Sequence, residues 1–293
     1  MNDLTRREFL ATAAAAGSAL PFLLSRAGAA PVTSAGRPSI IDVPSAGPLD
    51  LVIGSPPLAV DGKQTTRAVT INGTIPGPTL RLREGQDVEI RVHNRLPGED
   101  TSIHWHGLLL PPDMDGVPGV SFPGIRPGET FTYRFRVRQN GTYWYHSHSG
   151  LQEQLGHYGG LIIEPTNPEP FVYDREHVIV LSDWMFRDPY TVLKKLKQFE
   201  SYFNYQRPTV ANLFADAKRQ GLGRAIAQRL EWDAMRMDPT DIADITGVAY
   251  TYLMNGRSPA ENWTATARPG EVVRLRLINA ATMTYFDFRI PGL

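Results

Sequence analysis

The chain reads as an all-β protein, and three observations lead there. From about residue 49 onward, apolar and polar residues alternate over short runs, the period of a strand with one buried face. Gly and Pro, 26 and 24 of them in 293 residues, punctuate those runs at positions that suit turns. The runs are also many and short, as in a β-sandwich or a Greek-key barrel.

In chain order, the first segment is "LTRREFLATAAAAGSALPFLLSRAGAA". Arg6 and Arg7 precede a modest apolar run from Ala11 to Leu24, and small residues follow near Ala29. That is the layout of a signal peptide over residues 1–30. Gly17, Ser18 and Pro21 interrupt the run, and a bilayer span needs roughly 20 apolar residues, so no membrane span is expected. "TRREFL" resembles a twin-arginine export signal, which implies a periplasmic protein that folds before it is moved.

Residues 49–166 form the first β unit. "RAVTINGTIPGPTLRLREGQDVEIRVHNRL" alternates apolar and polar residues, with turn signals at "NGTIPGP" and "REGQ". "PGETFTYRFRVRQNGTYWYHSH" repeats the period after a Pro-Gly turn, and "GGLIIEP" reads as a short buried strand closing the unit.

A second unit spans residues 174–293 and starts with the apolar run "EHVIVLSDW". Between about 190 and 238, "YTVLKKLKQFESYF" and "GLGRAIAQRLEWDAMRM" carry apolar residues at helical spacing, which predicts a helical insertion. "NGRSPAENWTATARPGEVVRLRLINA" then echoes "NGTIPGPTLRLREGQDVEIRVHN" of the first unit, a weak internal repeat. The second unit reaches Leu293 with about half the strands of the first. An open sheet edge is expected there, covered by further chain or by a partner chain. The expectation is that the chain is the N-terminal part of a longer protein.

Composition narrows the function. Hydrophobic residues at 42% and charged residues at 20% suit an ordinary globular protein of two domains. Thirty basic residues balance thirty acidic ones, so nothing points to nucleic acid or an anionic membrane. The 293 residues contain no cysteine, which excludes disulfides, thiolate metal sites and cysteine nucleophiles within them.

The chemistry lies in two histidine pairs, "HWHG" at His104 and His106 and "YHSHSG" at His146 and His148. On a strand, residues i and i+2 share a face about 6.6–7 Å apart, so each pair converges on one side. Imidazole is the commonest protein metal ligand, and an all-imidazole site suits copper or zinc. The alternative is four half-buried histidines satisfied by backbone carbonyls, which crowds desolvated polar rings without a counter-charge. His93 and His157 read as structural or solvent-facing, and His177 has no assigned role. Met235, Met237, Met254 and Met283 are scattered and read as core filling, and "KKLKQ" as a solvated helix face.

The text from "TSIHWHGLLLPPDMDG" through "GTYWYHSHSGLQEQLGHYGGLIIEP" resembles the first cupredoxin domain of the multicopper oxidases, most of all their periplasmic copper-resistance branch. "YTYLMNGRSPAENWTA" and "RLRLINAATMTYFDFRIPGL" are similar to that branch's second domain. The resemblance implies cupredoxin-like Greek-key sandwich domains, the second incomplete here and carrying the helical insertion. It also implies an oxidase that takes electrons from cuprous ion or phenol-like donors and reduces dioxygen to water. Carried over, His104 would bind a type 2 copper, His106 and His146 one type 3 copper, and His148 the other. Asp115 would serve proton supply, although local chemistry equally allows a turn-capping Asp before Gly116. The family's remaining four cluster histidines and its Cys-His type 1 pair have no counterpart in these residues. A non-catalytic periplasmic copper-binding protein, a zinc-stabilised module, and an oxidase completed by a partner chain are the other readings.

Overall fold

The computed structural model describes residues 33–34, 39–65, 67–198, 202–203, 209–235 and 249–292. The signal segment, Met237 and the end of the helical insertion lie outside them. Among the described residues there are fifteen strands: β1 Thr33–Ser34, β2 Ile40–Asp42, β3 Leu49–Gly54, β4 Leu58–Val60, β5 Lys63–Gln64, β6 Thr70–Ile71, β7 Gly77–Arg83 and β8 Asp87–Asn94, followed by β9 His104–His106, β10 Thr130–Arg136, β11 Gly141–His146, β12 Tyr158–Glu164, β13 Arg175–Trp184, β14 Thr251–Met254 and β15 Val273–Asn279. The all-β class is therefore what the sequence patterning predicts.

Two sheets build the first unit. One has the order β10-β8-β3-β6 and the other β2-β7-β12-β11-β9. Alternation along β8 buries Val88, Ile90 and Val92 and turns Glu89 and Arg91 outward, and the same logic on the facing strands closes one hydrophobic core. Trp105, Tyr133 and Tyr145 are fully buried at its centre, each worth about 1.5–3 kcal/mol of transfer free energy.

Two expectations change here. Strand β2 pairs with β7, so the sheet begins before residue 49. "GGLIIEP" closes nothing: β12 is the middle strand of its sheet, bonded to β7 on one side and β11 on the other. A run buried on both faces reads the same in sequence whether it lies at a centre or an edge.

The second unit contributes a sheet of order β14-β13-β15. It repeats β6-β3-β8 of the first unit, with β3 and β8 parallel and β13 and β15 parallel. The echo extends to single residues. Asn72 and Asn255 both adopt positive φ, 53° and 50°. Asn72 Oδ1 accepts from Val52 N–H at 2.7 Å, and Asn255 Oδ1 accepts from Val180 N–H at 2.8 Å. A second hydrophobic cluster, including Tyr158, Val180, Trp184, Leu253 and Ile278, joins this sheet to the first unit, and Trp144 packs against it.

Helices Pro189–Gln198, Val210–Gln220 and Leu222–Met235 lie between β13 and β14. Lys194, Lys195 and Lys197 are exposed, as a solvated face requires. The methionines do not all fill a core: Met235 is 48% exposed and Met283 46%. An unbranched apolar side chain says little about burial when its element is exposed on most sides. No described helix is long and apolar enough to cross a membrane.

Candidate metal centre

The site is built on β9 and β11, which run antiparallel with His146 opposite His104 and Trp144 opposite His106. Trp105 and Tyr145 point into the core, so alternation turns both histidines of β9, together with Trp144 and His146, to the other face. The indole of Trp144 stacks on the His146 ring at 4.1 Å and 7°. His146 is 6% exposed.

His148 is not on a strand, because β11 ends at His146. The two-residue period therefore does not place it; side-chain bonding does. The His148 backbone N–H donates to Ser102 Oγ at 3.0 Å, and Ser149 Oγ lies 3.0 Å from the same hydroxyl. Behind them Gln152 Oε1 accepts from Thr101 Oγ1 at 2.7 Å and from Ser147 Oγ at 2.9 Å, while Gln152 Nε2 donates to Asp100 O at 2.8 Å. Thr101, Ser102, Ser147 and Gln152 are buried, so each of these bonds is costly to lose.

These elements bring all four histidines together. His104, His146 and His148 each offer a ring nitrogen within 4.8 Å of the others, close enough to hold one metal ion. His106 stands outside that trio but its Nδ1 is 3.2 Å from His146 Nε2. Two bare lone pairs at that distance repel, so the pair requires a proton or a cation between them.

Ring orientation is fixed from behind. His104 Nδ1 donates to the backbone carbonyl of Asp115 at 2.8 Å, which leaves its Nε2 bare. The Asp115 carboxylate is also near, Oδ1 at 3.4 Å from the same nitrogen. Gly116 permits this approach. It has φ +77°, and a Cβ there would lie 1.8 Å from the Ile103 carbonyl oxygen. On the other pair, Glu153 Oε2 lies 2.6 Å from His146 Nδ1. Burial, and then the neighbouring His146 and His104, lower the pKa of His106. Burial, then His104 and His146, do the same for His148. Both rings are thus biased to the neutral form that a metal ligand requires. Clustered imidazoles with no thiolate fit copper or zinc by donor type.

The remaining histidines are elsewhere or behind the site. His93 bonds Asp50 and Thr130 on the outer face of the other sheet, and His177 Nε2 bonds the Thr266 carbonyl. His157 is fully buried, not solvent-facing, and its carbonyl accepts from Ser147 N–H at 3.1 Å. Burial, reinforced by His146, pushes its pKa down to about 3. The patterning gave no sign of Ser102, Gln152 or Glu153. The polar cluster "SGLQEQ" directly after the second pair was the available signal, since such a turn sits beside whatever the pair binds.

Two family models, each described as multicopper oxidase, match residues 53–168 and 175–293. Copper resistance protein A of Escherichia coli is 57% identical over 244 residues, covering 83% of this chain and 40% of that protein. Copper resistance protein A of Pseudomonas syringae pv. tomato is 50% identical over 289 residues, covering 99% of this chain and 47% of that protein. The chain thus spans about half the length of these curated relatives. Among solved structures, a multi-copper oxidase from Pseudomonas thermotolerans superposes with a TM-score of 0.57 at 26% identity, covering 87% of this chain and 50% of its own. A blue copper oxidase from Nitrosomonas europaea gives 0.55 at 28% identity, covering 80% and 61%. With both β units matched by the same family and the copper-resistance relatives running through nearly all of it, the chain belongs to the multicopper oxidase family, in its copper-resistance branch.

Proposed function

We propose that this chain supplies half of the histidine ligands of a trinuclear copper centre in a periplasmic oxidase that protects against copper. The observation that carries the reading is the convergence of His104, His146 and His148, with His106 joined to His146 at 3.2 Å. In this reading His104 would hold a type 2 copper, His106 and His146 would hold one type 3 copper, and His148 would hold the other. Copper held there would supply one-electron redox chemistry, suited to a whole protein that oxidises cuprous ion or phenol-like donors and reduces dioxygen to water.

The chain's own residues do the rest. The Asp115 carbonyl keeps the His104 ring turned so that Nε2 faces the site. The Asp115 carboxylate, at 3.4 Å and partly exposed, holds a proton-accepting group between solvent and that ring, which suits a role in proton supply. The Trp144 indole covers one face of His146 and keeps water from it. With no cysteine here, the thiolate of a type 1 site comes from residues outside these 293, whether further chain or a partner chain. By itself, this stretch binds copper without an electron-entry site. Arg6, Arg7 and the apolar run after them support export by the twin-arginine route.

Copper titration followed by electron paramagnetic resonance tests the reading. The chain is expected to bind one or two ions, with stoichiometry or affinity falling in His104→Ala and His148→Ala. Unchanged binding in both variants would remove these histidines from the site, and preference for zinc over copper would favour a structural module.

A further inference from the structure

We propose that Glu153 is a positioning residue of the metal site, and that its carboxylate accepts the Nδ1 proton of His146. The inference deepens the copper reading and rests on it only for its metal-binding consequence. Three observations lead to it. His146 Nδ1 is buried and has no in-line hydrogen-bond partner among the described residues, while Glu153 Oε2 lies 2.6 Å away. A buried imidazole N–H that lacks a partner is costly, and the adjacent carboxylate, turned into line, would remove that cost.

The opposite edge of the ring faces the site, since His146 Nε2 is 3.2 Å from His106 Nδ1. A proton held at Nδ1 therefore leaves the lone pair of Nε2 directed at the other histidines. Carboxylate behind histidine is a recurrent way to fix the tautomer of a metal ligand and raise its basicity.

The third observation is a match across the strand pair. His104 and His146 are directly opposite in register, and each has an acidic residue at its Nδ1. Asp115 serves His104 chiefly through its backbone carbonyl at 2.8 Å. Glu153 serves His146 through its side chain. Both opposed rings are thus met at Nδ1 by an acidic residue from an unrelated loop, one through its backbone and the other through its side chain. Trp144, stacked on His146, restricts rotation out of this arrangement, so the carboxylate has only the tautomer left to decide.

Nitrogen-15 NMR of the histidine rings in the metal-free chain reads the tautomer, and copper(II) titration of the same samples reads its consequence. Wild type is expected to hold His146 with the proton on Nδ1. Glu153→Ala is expected to shift that ring toward the Nε2–H form and to weaken copper binding about 10–100-fold. Glu153→Gln, which keeps an acceptor oxygen without the charge, is expected to retain most of the tautomer and lose less affinity. An Nε2–H ring in wild type, or unchanged tautomer and affinity in Glu153→Ala, would overturn the proposal. If Glu153→Ala does not fold, Glu153→Gln decides: wild-type affinity and tautomer populations overturn it, and a measurable loss of either supports it. Failure of the copper reading is separately visible, as absence of copper binding in wild type with the tautomer result intact.

Discussion

The two histidine pairs face each other across a single strand pair, yet they are held by different means. His104 and His106 sit on a three-residue strand anchored by the buried Trp105, and the contact that orients His104 comes from a backbone carbonyl. His146 and His148 straddle a strand end, and side chains hold them: Trp144 by stacking, Glu153 at Nδ1, and Ser102 and Gln152 through hydroxyl bonds. A site held by backbone on one wall and by side chains on the other has a different sensitivity to mutation on each. The first wall tolerates side-chain loss and is vulnerable where backbone passes backbone. The second is vulnerable wherever a buried polar group loses its partner.

The largest effect is expected on the first wall. Gly116→Ala would force a Cβ into the Ile103 carbonyl and strain a left-handed backbone, and we expect a loss of at least about 4 kcal/mol in denaturant unfolding. On the second wall, Gln152→Leu removes the donor to the Asp100 carbonyl and the shared acceptor of the Thr101 and Ser147 hydroxyls. A loss of about 3 kcal/mol is expected by the same measurement, with the first pair left in place.

Acid tests the second wall by another route. His157 in the folded chain keeps a pKa of about 3, below the value of about 6.5 for the unfolded chain. The unfolded state therefore takes up the proton first as pH falls. The stability from this group is complete above about pH 6.5, declines on acidification and stops declining near pH 3. Between pH 7 and pH 5 the loss is about 2 kcal/mol, and it should vanish in His157→Leu when both proteins are unfolded at the two pH values.

The smallest effect is expected from Asp115→Ala. His104 is oriented by the carbonyl of that residue, so copper affinity should stay within about threefold of wild type, a shift below about 0.7 kcal/mol. A loss of tenfold or more would mean that the carboxylate, not the backbone, holds the ring, and the contrast between the walls would fail.

These differences also explain what could be read from the sequence. Alternation in "DVEIRVHN" and "TFTYRFR" announces β8 and β10 because one face of each is buried. The i, i+2 spacing of His104 and His106 suffices to put both rings on one face. His148 follows the same spacing in text but reaches the site through Ser102, a long-range contact that no local period encodes. Glu153 and His157 were illegible for the same reason, since their roles come from the turn that folds "SGLQEQLGH" back under β11. The central place of β12 could not be read either, because pairing order depends on distant strands. The repeat, by contrast, survived as paired asparagines, since a left-handed position bonding a neighbouring strand restricts residue choice locally.

In the reading proposed above, the two walls meet at copper through imidazole nitrogen and without sulfur. X-ray absorption at the copper edge of the copper-loaded chain tests it most directly. The expected first shell is nitrogen or oxygen at about 2.0 Å with imidazole scattering and no sulfur, and the imidazole signal should fall in a His104→Ala/His146→Ala double variant. A sulfur shell, or the same imidazole signal in the double variant, would rule out these histidines as the ligands.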